Sequence, residues 1–292
     1  MKISLVQMNS QPDLTANLRS AEALLLQAVV RDQPDLLVLP EHFDWAGGTA
    51  EQKIAAADVM PGGKAYEMLR RIARQHGVWI HGGSLLERIP GDSRVFNTSV
   101  VFNNLGKEVG RYRKIHLFDV TAPDGKAYLE SATVAPGEDL FVYEAHGLRI
   151  GAAICYDLRF SRLFDALASH WVDVVVLPAA FTMQTGKDHW EVLCRARAIE
   201  LQAYFVACGQ WGSYAAAKGE IRSYYGNSMI CDPWGQVIAR ASDGVGIVTT
   251  HVEPKRLKEV RDLIPMAMHR EDFPACRLCH CGGSGSACEA HA

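Results

Sequence analysis

The strongest constraint on this chain is a repeated pattern. Short runs that are apolar at nearly every position alternate with segments whose apolar residues fall at helical spacing. Asp35–Pro40 (DLLVLP), Arg149–Ile154 (RIGAAI) and Val172–Pro178 (VDVVVLP) are such runs. A strand apolar on both faces must be covered on both. After a first strand at Ile3–Met8, residues Leu18, Ala21, Leu25, Ala28 and Val29 mark one side of a helix. Further helices are expected around Lys64–Gln75, Ser161–His170 and Lys187–Ala203. The last of these carries Val192, Leu193, Ala196 and Ile199 on one side. Strands are expected at Gly77–Leu85, at Phe96–Phe102, within LGKEVGRYRK, and at YFVACG, NSMICD, GQVIAR and VGIVTTHV. Some strands are apolar throughout and others alternate. That mixture predicts layered α/β packing, and without a GxGxxG it does not predict a simple dinucleotide-binding sheet.

Composition narrows the class. The chain has 292 residues, 48% hydrophobic and 22% charged, enough for one large domain. A net charge of -3 offers no basic excess for nucleic acid. The longest apolar run, near Val172–Ala180, is too short for a bilayer and contains Asp173. MKISLVQMNS reads as a strand rather than a signal peptide. Cys155, Cys194, Cys208 and Cys231 sit singly in apolar segments, as reduced thiols of a cytoplasmic protein do. No linker interrupts the chain before residue 270. One domain over 1–272 is expected, with a disordered tail over 273–292. That tail holds Cys276, Cys279, His280, Cys281, Cys288 and His291, but only one Cys-x-x-Cys pair in flexible Gly/Ser sequence, so it is read as unstructured rather than as a zinc site.

Three apolar strands stop at an ionisable residue: Glu41 in LLVLPEHF, Lys114 in RYRKIHLFD and Cys155 in GAAICYD. Taken singly, these could be a surface carboxylate, part of a solvated basic face, and a packed core thiol. Together they make a chemical set. A thiol attacks only as thiolate, with an unperturbed pKa of about 8.5. A neighbouring carboxylate can take its proton. The tetrahedral oxyanion then needs fixed donors, worth about 3–4 kcal/mol each. An ammonium and a backbone N–H at a strand-to-helix turn would supply them. His42, His116 and His189 are read as hydrogen-bonding scaffold, and Trp190 and Trp234 as packing groups.

These three segments resemble, in order, the signature segments of the nitrilase superfamily of carbon–nitrogen hydrolases. LPEHF resembles the glutamate segment, YRKIHLFD the lysine segment (Lys-x-His-Leu-Phe/Tyr-Asp), and CYDLRF the cysteine segment. The likeness spans about residues 1 to 270. It implies a four-layer α-β-β-α sandwich, a Glu–Lys–Cys triad and no metal or organic cofactor. It also implies a second glutamate, for which Glu130 stands sixteen residues after Lys114. TGKDHWEVLCRARAIE and YGNSMICDPWGQVIAR look like the branch acting on deaminated glutathione, with omega-amidases next. That likeness implies hydrolysis of a small carboxylated amide. Arg159 would bind its carboxylate, Tyr156 would lend a backbone N–H to the oxyanion, and Phe181 and Thr185 would line the pocket. A homodimer or larger homo-oligomer is implied, with about His251–Arg270 reaching a partner subunit. The segment between Gln210 and Tyr225 is longer and richer in alanine than the family pattern. Other readings are a nitrilase, an N-carbamoyl amino-acid hydrolase, or a non-catalytic binding protein that retains the fold.

Overall fold

A computed structural model describes residues 1–121, 125 and 127–271. The expected tail, 273–292, lies outside the described residues. Two large sheets hold most of the strands. The first runs, in spatial order, Gly246–His251, Lys2–Gln7, Leu36–Val38, Trp79–His81, Val95–Phe102 and Leu85–Arg88, with Glu108–Arg113 also on Val95–Phe102. The second runs Val237–Arg240, Met229–Cys231, Tyr204–Gly209, Val174–Ala179, Leu148–Ala152 and Val142–Ala145. Each has a parallel centre and antiparallel flanks. The helices are α1 (Leu14–Asp32), α2 (Ala50–Ala56), α3 (Lys64–His76), α4 (Ser161–Ser169), α5 (Met183–Leu201), α6 (Pro254–Leu263) and α7 (Met266–His269).

Successive side chains on a strand point to opposite faces, and that alternation builds the layers. Ile3, Leu5, Leu36 and Val38 of the first sheet meet Ile150, Val174, Val176, Tyr204, Val206 and Cys208 of the second in one buried cluster. The intervening Leu37, Leu39 and Val6 turn the other way, onto Ala21, Leu25 and Ala28 of α1 and Leu69 and Ile72 of α3. Val175, Leu177, Phe205 and Ala207 likewise turn onto Phe164 and Leu167 of α4 and Trp190, Cys194 and Ala198 of α5. The result is the four-layer α-β-β-α sandwich.

Two local expectations change. The strand expected over Gly77–Leu85 is split into Trp79–His81 and Leu85–Arg88. The break at Gly82–Gly83 has a use described below. In α5 the apolar face inferred from spacing is not the buried one. Gly186, Trp190, Cys194, Arg197, Ala198 and Leu201 face inward, while Val192 is 67% exposed and Ile199 46%. Polar anchors fix this rotation. The Trp190 Nε1–H donates to the Asn227 carbonyl at 2.8 Å, and Arg197 donates to the Leu158 carbonyl at 3.2 Å. The helix also starts earlier than expected, because the Thr182 hydroxyl caps it by accepting from Thr185 N–H. Near the C-terminus, Leu257 and Val260 of α6 are buried, and Arg261 pairs with Asp173 at 2.8 Å. That part of the expected arm is therefore docked on its own chain, with Leu263, Ile264 and Met268 left exposed.

The inter-sheet layer carries the fold. Leu5→Ala is expected to destabilise the protein by about 2–5 kcal/mol in urea unfolding. The exposed Val30→Ala on α1 should stay within about 0.5 kcal/mol.

Candidate active site

The strand Glu108–Arg113 shows how Lys114 comes inward while its basic neighbours do not. Arg111 and Arg113 share one face and pair with Glu87 at 3.3 and 2.7 Å. Tyr112 and Lys114 share the other face, and both are buried. Of the basic RYRK cluster, only Lys114 enters the interior. The next turn is tied back by Gly137, whose N–H donates to the Lys114 carbonyl at 2.8 Å. A Cβ there would stand 2.2 Å from the Arg113 carbonyl oxygen, so glycine is needed for the approach.

Glu41 follows the strand Leu36–Val38 in a turn held from two sides. On one side is the split in the neighbouring strand. Ser84 N–H donates to the Pro40 carbonyl, Phe43 N–H to the Ser84 carbonyl, and His42 N–H to Ser84 Oγ. Gly83, at φ +55°, lets the chains touch: a Cβ would lie 2.2 Å from the Pro40 oxygen. On the other side is Gln210, fully buried at the end of strand Tyr204–Gly209 in the second sheet. Its Nε2 donates to the carbonyls of Glu41 and His42 at 3.0 and 3.3 Å.

Cys155 opens a 3-10 turn, Cys155–Arg159, after the strand Leu148–Ala152. It takes the left-handed backbone conformation at φ +48°, a strained state for a residue with a Cβ. Asp157 holds the turn. Its buried carboxylate accepts Ile154 N–H at 2.8 Å, the Tyr112 hydroxyl at 2.7 Å and the His116 N–H at 3.0 Å. One carboxylate thus binds the cysteine turn to the lysine strand. His116 also contacts Asp157 through Nδ1 and stacks on Phe160, a scaffolding position.

The four side chains named from sequence converge. Lys114 Nζ lies 2.9 Å from Glu41 Oε1 and 2.8 Å from Glu130 Oε2. Cys155 lines the same cavity; the Glu41 charge acts on its thiol, and its sulfur accepts Ala180 N–H at 3.5 Å. Glu130 sits in a 3-10 turn and also accepts Phe118 N–H at 2.7 Å. Burial works against the charge on Lys114, but Glu130 and Glu41 outweigh it and hold its pKa well above the ordinary value. Burial and the Glu41 charge push the thiol well up, with Lys114 opposing, so the resting sulfur is protonated at neutral pH. Glu130 is itself penalised by burial, yet Lys114 and Lys53 bring its pKa below the usual carboxylate range. Among the described residues, Glu41, His42 and Glu130 could together hold a metal ion. Two of the three already bind the Lys114 ammonium.

The cluster forms the floor of a cavity of about 330 Å³. Tyr156, Arg159, Phe181 and Thr185 line it. The Arg159 guanidinium lies 5.2 Å from the Phe181 ring centre and 3.1 Å from His189 Nδ1, and no carboxylate is within 4.0 Å of it among the described residues. Sequence reasoning missed several neighbours. Asn97 Nδ2 donates to Glu41 Oε1 at 2.9 Å and reaches Glu130 Oε1 at 3.4 Å. Its signal was a polar run, Asn97–Thr98–Ser99, buried inside an otherwise apolar strand. Lys53 enters the cavity from α2, a helix the periodicity did not reveal. His42 lies beside Glu41, Nε2 to Oε1 3.8 Å, and burial lowers its pKa to about 4, so it is neutral.

A profile of the family described as "Carbon-nitrogen hydrolase" matches residues 2–262. The chain belongs to the carbon–nitrogen hydrolase family. This hydrolase is 39% identical over 268 residues to a deaminated glutathione amidase of Synechocystis sp., covering 91% of this chain and 96% of that protein. It is 33% identical over 277 residues to omega-amidase NIT3 of Saccharomyces cerevisiae, covering 92% and 93%. Among solved structures, it superposes on the Caenorhabditis elegans NitFhit protein with a TM-score of 0.84 at 32% identity, covering 92% of this chain and 64% of that one. For yeast Nit3, described as a member of branch 10 of the nitrilase superfamily, the TM-score is 0.80 at 29% identity, with 91% and 94% covered. The hydrolase is thus an enzyme acting on non-peptide carbon–nitrogen bonds.

Asp44, next to this turn, gives a pH test of the site's packing. Its carboxyl is buried, accepts Leu86 N–H at 3.0 Å, and is lifted by burial from 3.8 to about 7. The folded state therefore holds a proton that the unfolded state releases, and stability falls as pH rises between about 4 and 7. Asp44→Asn removes this titration. Urea midpoints of the hydrolase and D44N should diverge in favour of D44N as pH is raised from 4 to 7, and parallel midpoints would refute it.

Proposed function

We propose that the enzyme hydrolyses the amide bond of small carboxylated amides through a Cys155 thioester. The observation that carries this reading is the contact of one buried ammonium with two carboxylates in a cavity that Cys155 also lines. Glu41 takes the thiol proton as sulfur attacks the amide carbon. Lys114 and the Tyr156 N–H receive the developing oxyanion. Glu41 then returns the proton to the leaving nitrogen, and ammonia or an amine departs. Water activated by Glu41, with Glu130 keeping Lys114 in place, releases the acid and the thiol. A thiol kept protonated at rest suits a base that removes its proton only during attack.

Arg159 supports a carboxylate on the substrate. It is a fork of donors at the cavity wall, with only aromatic rings and His189 as close partners among the described residues. Phe181, packed on Trp190, and Thr185 in the first turn of α5 shape the wall beside it. The names of the relatives favour deaminated glutathione as first substrate and an omega-amide as second, for which α-ketoglutaramate is our candidate. Four free, buried body cysteines suit the reducing cytoplasm. No helix among the described residues is long and apolar enough to cross a membrane. The exposed Val192, Ile199, Leu263 and Met268 on α5 and the C-terminal helices favour a homodimer. We take residues 1–272 as one catalytic domain.

The decisive experiment is a panel of amides, nitriles and N-carbamoyl amino acids, with mass spectrometry of acid-quenched enzyme. Carboxylated amides should be turned over and leave an acyl adduct on Cys155. Cys155→Ala should lose at least about 1,000-fold in kcat/KM while remaining folded by circular dichroism. Preferred turnover of nitriles or carbamoyl compounds, or wild-type rates in C155A, would overturn the proposal.

A further inference from the structure

Asn97 is fully buried in the strand Val95–Phe102 and is joined to Glu41, Lys114 and Glu130 at once. Its backbone carbonyl accepts Lys114 N–H at 2.9 Å. Its Nδ2 donates to Glu41 Oε1 at 2.9 Å and to Glu130 Oε1 at 3.4 Å. The start of the same strand is tied to the Glu130 turn, where Val95 N–H donates to the Thr133 carbonyl at 2.9 Å. An amide nitrogen carries two hydrogens, one for each carboxylate. The other end of the amide, Oδ1, is buried without a hydrogen-bond partner among the described residues. Turning the amide over would set Oδ1 against two carboxylates. The buried acceptor is therefore left unpaired in favour of two donor contacts to charged groups. Packing alone would favour an apolar side chain, as at Val100 and Val101 of the same strand.

These contacts make the two oxygens of Glu41 unequal. Oε1 receives Lys114 Nζ at 2.9 Å and Asn97 Nδ2 at 2.9 Å. An oxygen whose two lone pairs are both engaged is a poor proton acceptor, which leaves Oε2 for that task. Lys114 bridges Glu41 to Glu130 as a cation, and Asn97 bridges the same pair as a neutral donor. Two like charges are thus held in one geometry without further charge.

We infer that Asn97 is the positioning residue of the base: it fixes the Glu41 carboxylate so that Oε2 takes the thiol proton during attack and the water proton during thioester hydrolysis. This rests on the mechanism proposed above and adds to it the choice of oxygen and the group that makes it.

The test measures kcat and KM of Asn97→Leu and Asn97→Asp, in the full chain, on α-ketoglutaramate from pH 5 to 8. Leucine keeps the volume and has no donor. N97L should lose about 100-fold in kcat at every pH, with KM within about twofold. The carboxyl introduced by Asn97→Asp can donate one O–H while protonated and adds a third negative charge when ionised. Glu41 and Glu130, which it would touch, favour its protonated form, while Lys114, Lys53 and the neutral His42 face the same carboxylates. The ratio of kcat in N97D to that of the unmodified enzyme should therefore rise about tenfold or more as pH is lowered from 8 to 5, while the N97L ratio stays flat. N97L with kcat within about threefold of the unmodified enzyme, a loss confined to KM, or a flat N97D ratio would overturn the inference. If N97L alone does not fold, the N97D ratio decides. Loss of the folded circular dichroism spectrum in both variants also overturns it, since Asn97 would then be a structural residue only. The amidase reading is decided separately, by the unmodified enzyme. If that enzyme turns over only nitriles or N-carbamoyl compounds, the amidase reading fails, and the same comparison on that substrate still decides the role of Asn97.

Discussion

The site depends on one buried ammonium. Lys114 is 2% exposed and lies within 3 Å of two carboxylates that come from different parts of the chain. Removing Lys114 leaves both carboxylates without their shared cation in the interior, an outcome worth several kcal/mol. The architecture can be understood as the means of bringing them together. Glu41 ends a central strand of the first sheet, Lys114 ends a flanking strand of the same sheet, and Cys155 follows a strand of the second. The sheets are locked in register by the dry layer between them and by Gln210, which reaches from the second sheet to the Glu41 turn. Asp157 makes the complementary tie, from the cysteine turn to Tyr112 and His116. Each of these strand ends is therefore anchored to its neighbour by a buried polar side chain, while apolar packing sets the distance between sheets.

Electrostatics then decides the order of events. Two carboxylates facing Lys114, with Lys53 nearby, make a cluster in which an additional negative charge on sulfur is disfavoured by burial and by Glu41. A free thiolate is thus not the resting state. In the proposed mechanism Glu41 takes the thiol proton as sulfur attacks, and the charge passes to an oxyanion next to Lys114. The left-handed backbone at Cys155 fits the same purpose: it turns the sulfur out of the strand direction and into the cavity.

Much of this was legible in the sequence, and the remainder was hidden for physical reasons. Continuously apolar runs such as Leu36–Leu39 require cover on both faces, and they have it, from helices outside and the partner sheet inside. The chain positions of Glu41, Lys114 and Cys155 at strand ends were readable because a strand's end is marked by an abrupt change from apolar to ionisable. The inward side of α5 was not. Hydrophobic spacing favoured Val192 and Ile199, but Gly186, Trp190 and Arg197 won because close approach to Tyr225 and hydrogen bonds to carbonyls outweigh a few exposed methyl groups. The break at Gly82–Gly83 was also hidden, since only the fold shows that Pro40 must pass against it. Lys53, Asn97 and His42 carry no motif of their own; they matter through what lies across space from them.

Catalysis and selectivity are consequently built on different supports. The proposed catalytic side chains stand at strand ends fixed by a fully buried inter-sheet core. Part of the cavity wall stands on lighter elements. Lys53 belongs to a seven-residue helix with no buried residue, held by the Thr49–Gln52 capping box and by Arg88, which donates to the carbonyls of Ile54 and Ala57. Arg222 and Tyr224 of the cavity wall belong to a two-stranded ribbon, Trp211–Ala215 with Ile221–Tyr225, outside both main sheets. A change in length or angle there moves the wall without disturbing Lys114. The long, alanine-rich stretch between Gln210 and Tyr225 falls in this ribbon, so this departure from the family pattern sits where it leaves the chemistry in position.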